Sequence, residues 1–261
     1  MLCITTIGER LEFVVRHASL HRQLASLLGM KVAVLEDGPV NPETVRVCAE
    51  FGYYYRATGY RRYGPSYSRN LGLVLSDDAH VFFIDSEIVP TKRALFLIRD
   101  EVASYGSKPI FFRYDFVGDD GVFQYADGRI RNEEKFIYGN HPAIVDPHDS
   151  WSGAIWYPKE LVLKAGGFSI DFDGCWGHED TDLGSRLWAM GVKARWSPYA
   201  RFLHYHHEDS GQWKRWDTGN EDRVMGRRED FLRKGAEGVR SFTENTGDLT
   251  DRHWDFAPEE K

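Results

Sequence analysis

Residues Gly166–Leu187 read GGFSIDFDGCWGHEDTDLGSRL. A double glycine and Phe168 open the stretch, an acidic turn-rich run follows, and Trp176-Gly177-His178 leads into Glu179 and Asp180. From Thr181 onward, Leu183, Leu187 and Met190 recur at spacings of three and four, the apolar stripe of a helix. Asp180 or Thr181 is the expected N-cap, because a short oxygen-bearing side chain accepts from the unpaired N–H groups of a first turn. The helix dipole also favours ionised carboxylates at that end. A carboxylate beside an exposed indole can grip a sugar: the apolar ring face lies on Trp176, and a hydroxyl donates to Asp180 or Glu179. The plainer alternative is that Glu179, Asp180 and Asp182 are only a capped, solvated helix start.

The rest of the chain sets the frame for this block. Its 261 residues suit one α/β domain with at most a small appendage. Aromatics reach 14%, including Trp 8 and Tyr 13. That exceeds what a core needs, and exposed aromatics suit flat ligands such as sugars and bases. A formal net charge of −7 argues against a dominant electrostatic grip on nucleic acid. Cys3, Cys48 and Cys175 are odd in number and widely spaced, forming neither a zinc pattern nor a disulfide framework. They read as residents of a reducing compartment. No run of about 18 apolar residues is present, so no transmembrane helix is expected. Met1-Leu2-Cys3-Ile4 reads as an immediate first strand, not a signal peptide. A cytoplasmic protein is the expectation.

In the N-terminal half the pattern predicts a strand at Leu2–Ile7 and a helix at Leu11–Leu28 closed by Gly29. A second strand follows at Lys31–Leu35, then a helix at Thr44–Phe51. Strands alternating with helices imply an α/β fold, with a mainly parallel sheet and right-handed crossovers. Ligands of such sheets bind beyond the C-terminal strand ends, where Thr5, Thr6, Glu36 and Asp37 lie. Tyr53–Tyr67, rich in Tyr, Arg and Gly, reads as a loop whose arginines could face phosphate. His80–Glu87 (HVFFIDSE) runs from apolar residues straight into Asp85, Ser86 and Glu87. Residues i and i+2 of an extended chain point the same way. Two carboxylates so placed can share a divalent cation and the diphosphate behind it. Further on, Ile98–Ser107 reads as a helix and turn, Pro109–Phe116 as a strand, Gly118–Gly128 as a hairpin loop and Glu133–His148 as irregular. Trp151–Pro158 reads as a strand and Lys159–Ala165 as a helix. Two strands, Lys193–Trp196 and Ala200–Tyr205, precede His204, His206 and His207. One more helix is expected at Glu221–Lys234, then a polar tail at 241–261.

Gly166-Gly167-Phe168, Trp176-Gly177-His178-Glu179-Asp180, Leu183 and Arg186-Leu187 resemble the "GGF … WGxED … L..RL" block of GT-A glycosyltransferases. The group is that of family 2, the chondroitin polymerases and the β-1,4-galactosyltransferase-like enzymes. Ser68-Arg69-Asn70-Leu71-Gly72 resembles its "ARNxG" helix start. Asp85-Ser86-Glu87 resembles its "DxD", with Glu87 in place of the third-position Asp. Tyr205-His206-His207-Glu208 resembles its "YHQE". The usual "WGGED" has Gly where this chain has His178.

The resemblance implies a GT-A, Rossmann-like sheet flanked by helices. Residues 1–240 would form one domain, with a nucleotide-binding half at 1–90, an acceptor and catalytic half at 91–210 and a C-terminal helix at 211–240. It implies Asp180 as the base of inverting transfer, with Glu179 and Trp176 holding sugars. Asp37 would bind uracil, Arg69 and Asn70 would lie under the nucleotide, and Thr5, Thr6 and Ser86 would line the donor site. Gly153 would let the donor sugar approach the backbone. Asp85, Glu87 and His206, with His204 as second choice, would hold Mn²⁺ (or Mg²⁺). The implied reaction is metal-dependent transfer from a nucleotide sugar, a UDP-sugar, to an acceptor hydroxyl. The acceptor could be a glycan, a lipid-linked glycan, a protein or a modified nucleic-acid base. Two other readings stand beside it: a non-catalytic glycan- or nucleotide-binding module on the same scaffold, and a metallohydrolase using His204, His206 and Asp209. The sequence does not indicate an oligomeric state.

Overall fold

Strands β1 (Leu2–Thr6), β2 (Val32–Glu36), β3 (Tyr54–Ala57) and β4 (His80–Asp85) run parallel in the order β3-β2-β1-β4. The computed structural model describes residues 1–59, 64–126, 153–173, 178–206 and 253–258. Alternate residues of a strand point to opposite faces, and both faces here are apolar. Leu2, Ile4, Val34, Phe82 and Ile84 join one core with Val14 and Leu24 of helix α1 (Leu11–Leu28), Val47 of α2 (Pro42–Phe51), and Leu95 and Ile98 of α4 (Lys92–Tyr105). Cys3, Ala33, Leu35, Val81 and Phe83 join the other with Leu71 and Leu75 of α3 (Pro65–Leu75), Val162 of α5 (Lys159–Lys164), and Leu183 and Leu187 of α6 (Glu179–Ala189). A sheet covered on both faces is what a run of buried parallel strands requires.

The sheet continues past β4. β8 (Ala154–Pro158) pairs antiparallel with β4 and with β6 (Ile110–Val117), and β9 (Arg195–Tyr205) lies parallel to β6. β5 (Ile88–Pro90) pairs antiparallel with β9, and β7 (Phe123–Tyr125) pairs with β6. The mixed α/β class and the mainly parallel first half match expectation.

Several boundaries differ, each for a local reason. α2 starts at Pro42, ahead of the expected Thr44, because the Asn41 side chain accepts from the Glu43 N–H and proline takes the first turn. Residues 53–67 are not one loop: Tyr54–Ala57 forms β3 and Pro65 opens α3. α4 begins at Lys92, where the Thr91 hydroxyl accepts from the Ala94 N–H. The two strands expected around Pro198 are one strand, β9, whose register against β6 shifts between Phe112 and Tyr114. The expected segments 133–148 and 221–234 lie outside the described residues. Among the described residues no helix is long and apolar enough to cross a membrane.

Candidate active site

The C-terminal ends of β1, β2 and β4 meet at a network of hydroxyls and carboxylates. Thr5 Oγ1 donates to Asp85 Oδ1 at 2.6 Å, Thr6 Oγ1 to Ser86 Oγ at 3.2 Å, and Ser86 Oγ to Glu87 Oε2 at 3.0 Å. Thr6 and Ser86 are buried, so they hold the carboxylates and do not line an open surface. Asp85 and Glu87 do not act as a matched pair. The Asp85 side chain keeps 28% exposure and faces Arg69. Glu87, 6% exposed, is paired with Arg10 Nη1 at 2.5 Å. The i, i+2 argument fails here because β4 ends at Asp85, and Ser86 and Glu87 form a turn.

Helix α3 joins this network to the Gly166–Leu187 block. Arg69, buried at 4% exposure, donates from Nη1 to Glu179 Oε1 at 2.6 Å and from Nη2 to Asp85 Oδ1 at 3.2 Å. Its guanidinium carbon lies 5.6 Å from the Phe168 ring centre. The Asn70 amide makes two bonds to Phe168: Nδ2 donates to the carbonyl at 2.8 Å, and Oδ1 accepts from the N–H at 2.9 Å. Asn70 is therefore fully buried and tied to the Phe168 backbone. Gly72 completes the motif. A Cβ there would stand 2.8 Å from Leu35 Cδ1 and 3.0 Å from Cys3 Sγ, so the glycine lets α3 lie close on the sheet.

The start of α6 is built without a side-chain cap. His178, at φ 75°, is its N-cap, so neither Asp180 nor Thr181 takes that place. It is the one non-glycine residue at positive φ among the described residues, in a conformation that favours glycine. Arg186 fastens the helix from below. Fully buried, it pairs with Asp182 (Nη2–Oδ2 2.6 Å) and donates to the carbonyls of Ala165 and Gly167 around the double-glycine turn. Gly166 and Gly167 sit at φ 85° and 73°, which accounts for the pair. Glu179 faces inward beside Arg69, and burial pushes its carboxyl up to about 7, helped by the neighbouring Asp180 charge and opposed by Arg69. Its Oε2 and the Tyr157 hydroxyl are buried with no hydrogen-bond partner among the described residues. Buried unpaired oxygens at such a position mark a site for a ligand or ordered water. Asp180 is half-buried, and its Oδ1 accepts from the Thr181 N–H at 2.7 Å.

Asp37 and Asp173 share the N-terminus of α3. Asp37 Oδ2 accepts from the Gly64 N–H at 2.6 Å and Oδ1 from Thr58 Oγ1 at 3.3 Å. Asp173 accepts from the N–H groups of Ser66 (2.9 Å) and Tyr67 (3.1 Å), a cap supplied from over a hundred residues away. Burial raises Asp37 to about 6 and Asp173 to about 7, against the pull of those N–H donors.

A mixed sheet with helices on both faces, acidic strand ends and an acidic helix start can now be set beside known proteins. Residues 146–208 match the family described as the N-terminal domain of galactosyltransferase. No curated protein matches the chain. The structure of S. aureus TarS residues 1–349 in complex with UDP-GlcNAc superposes with a TM-score of 0.66 at 15% identity, over 97% of this chain and 72% of that one. GalNAc-T7 with UDP, GalNAc and Mn²⁺ superposes at 0.59 and 12% identity, over 96% of this chain and 52% of that one, so the present chain spans about half its length. The chain has the GT-A fold of these two glycosyltransferases.

The other expected site residues of this GT-A fold are placed as follows. Gly153 is crowded by protein: a Cβ there would stand 2.6 Å from Ile88 Cδ1 and 3.1 Å from the Tyr114 ring, which explains the glycine without a donor sugar. His204, not His206, is brought to Glu87, with Nε2 3.8 Å from Oε1 and its ring against Phe116. His206 is exposed at the end of β9. Trp176 lies outside the described residues, as do His207 and Asp209.

Among the described residues no group of three or more His, Cys, Asp or Glu side chains is arranged to hold a metal ion. Asp85 fits a hard cation, since its carboxylate is part-exposed at a strand end. Glu87 fits only by giving up Arg10. Arg10 and Asp173 escaped the sequence reading. Asp173 stood in plain view within the acidic turn of the block, but nothing local marks its partners on α3.

Proposed function

We propose that this GT-A-fold chain is a glycosyltransferase that catalyses metal-dependent, inverting transfer of a sugar from a UDP-sugar to an acceptor hydroxyl. The observation that carries the reading is the Arg69 bridge, which ties Asp85 of the donor-side strand end to Glu179 of the acceptor-side helix. In it, residues 1–90 bind the nucleotide and 91–210 the acceptor. The neighbour TarS, crystallised with UDP-GlcNAc, supports a UDP-sugar donor, and GalNAc-T7, crystallised with UDP, GalNAc and Mn²⁺, supports Mn²⁺ or Mg²⁺.

In this reading Asp37 accepts from the uracil N3–H. A carboxylate has about four acceptor sites and Asp37 spends two on Gly64 and Thr58. Asp85 and a histidine, His206 or His204, with Glu87 once released from Arg10, would hold the cation, which would supply positive charge against the leaving diphosphate. Asp180 takes the proton of the attacking hydroxyl as the new bond forms. Glu179, kept in place by Arg69, accepts from another acceptor hydroxyl, and Trp176 stacks on the sugar. Acceptors bearing a hydroxyl on a glycan, lipid-linked glycan, protein or modified base all suit this chemistry, in a cytoplasmic setting. The test is calorimetry of UDP with and without Mn²⁺. Affinity should rise with Mn²⁺ and lose that rise in Asp85→Asn. A Mn²⁺ effect that survives the substitution removes Asp85 from the cation site.

A further inference from the structure

Strand β3 ends the sheet, so its outward N–H and C=O groups have no neighbouring strand. Residues 253–258 cover them. The Tyr55 N–H donates to the Phe256 carbonyl at 2.9 Å and the Phe256 N–H to the Tyr55 carbonyl at 3.2 Å, forming an antiparallel bridge. Two residues on, the Ala57 N–H donates to Asp255 Oδ2 at 2.8 Å, while Asp255 Oδ1 pairs with Arg56 Nη1 at 2.8 Å. The side chains of this pair are 15% and 18% exposed. Trp254 packs on Tyr54 with ring centres 5.2 Å apart. The outward groups at 55 and 57 are the ones an added strand would use, and Asp255 supplies a carboxylate for the second, a charge-assisted bond stronger than a backbone one.

The inner side of the same strand end holds Asp37. The Thr58 N–H donates to the Glu36 carbonyl (2.9 Å), the Gly38 N–H to Thr58 Oγ1 (2.9 Å), Thr58 Oγ1 to Asp37 Oδ1 (3.3 Å) and the Gly59 N–H to the Gly38 carbonyl (2.8 Å). The Tyr55 hydroxyl reaches Glu36 Oε2 at 2.5 Å. One short piece of chain therefore connects Asp255 on the outside to Asp37 on the inside, with Ala57 and Thr58 as adjacent links.

We propose that Asp255 is a positioning residue for the donor site. The segment His253–Pro258 is a strap that fixes the end of β3 from outside, and β3 fixes the orientation of Asp37. This rests on Asp37 reading the nucleotide base. An edge strand without its outer partners opens more readily than the strands behind it, and an Asp37 that moves with it loses its aim. Coupling of this kind is reciprocal: if the strap steadies Asp37, a nucleotide on Asp37 steadies the strap.

The reciprocity can be tested in the unmodified 261-residue chain. Saturating UDP should slow amide hydrogen exchange at Phe256 as well as at Ala57 and Thr58. Asp255→Ala should weaken UDP binding roughly tenfold, the scale of one lost hydrogen bond to a charged group, and should reduce the preference for UDP over CDP. Asp255→Asn, which keeps an acceptor for the Ala57 N–H, should retain most of that preference. Exchange at Phe256 that ignores UDP overturns the proposal, and so does Asp255→Ala with wild-type UDP affinity. Asp37→Asn is measured alongside. If it loses the preference while Asp255→Ala keeps it, the strap alone fails. If it keeps the preference, the base-reading role of Asp37 fails and the strap proposal falls with it.

Discussion

Arg69 Nη1 stands 2.6 Å from Glu179 Oε1, across 110 residues of sequence, in a pair whose side chains are 5% and 6% exposed. The second nitrogen of the same fork holds Asp85. Removing one partner of a buried pair leaves an uncompensated charge, which costs about 3–5 kcal/mol. Arg69→Ala should therefore destabilise the fold by that amount in urea unfolding. Adding Glu179→Gln should recover part of the loss, because the uncharged amide is cheaper to bury. Strictly additive effects would show that the two residues are not coupled as described.

The second prediction concerns pH. Asp37 and Asp173, ordinarily at 3.8, are raised to about 6 and about 7 in the folded chain. The folded state thus binds more protons than the unfolded state between about pH 4 and 7. The stability from these groups is fully present below their unfolded values and is lost as pH rises through the folded ones. Thermal melts between pH 5 and 8 should show this fall, and Asp173→Asn should flatten it. An unchanged slope in that variant would mean that Asp173 does not titrate there.

A third prediction follows from His178 at φ 75°. The left-handed conformation costs a residue with a Cβ about 1–2 kcal/mol. His178→Gly should raise the melting temperature, and His178→Val should lower it. A glycine variant that melts earlier would mean that contacts of the imidazole outweigh the backbone cost.

Much of the fold was legible in the sequence because it is written locally. Leu11–Leu28 carries its stripe and ends at Gly29, and the apolar run before Asp85 reads as a buried strand. What escaped depends on distant partners or short elements. β3 is four residues long and set among Tyr, Arg and Gly, so its signal is swamped by loop composition. Pro198 reads as a break, yet β9 carries it in an irregular stretch where its pairing with β6 shifts register. In the site, residue types were legible and directions were not. The resemblance puts Asn70 under the nucleotide, and nothing local shows that its amide also bonds twice to Phe168, 98 residues away. Glu87 looked like a cation ligand, but Arg10, 77 residues earlier, reaches it.

The central claim is that Asp180 takes the acceptor's proton in an inverting transfer. It sits in the first turn of α6 beside Glu179, with Oδ1 fixed by the Thr181 N–H at 2.7 Å. Asp180→Asn keeps the size of the side chain and removes its basicity. The most direct measurement is the turnover of this variant at saturating donor, with UDP affinity measured on the same protein and the anomeric configuration of the wild-type product read by NMR. The account predicts a kcat lower by on the order of 10²–10⁴-fold, UDP affinity close to wild type, and a product of opposite configuration to the donor. Near-normal turnover in Asp180→Asn, or a product that retains the donor's configuration, would contradict it.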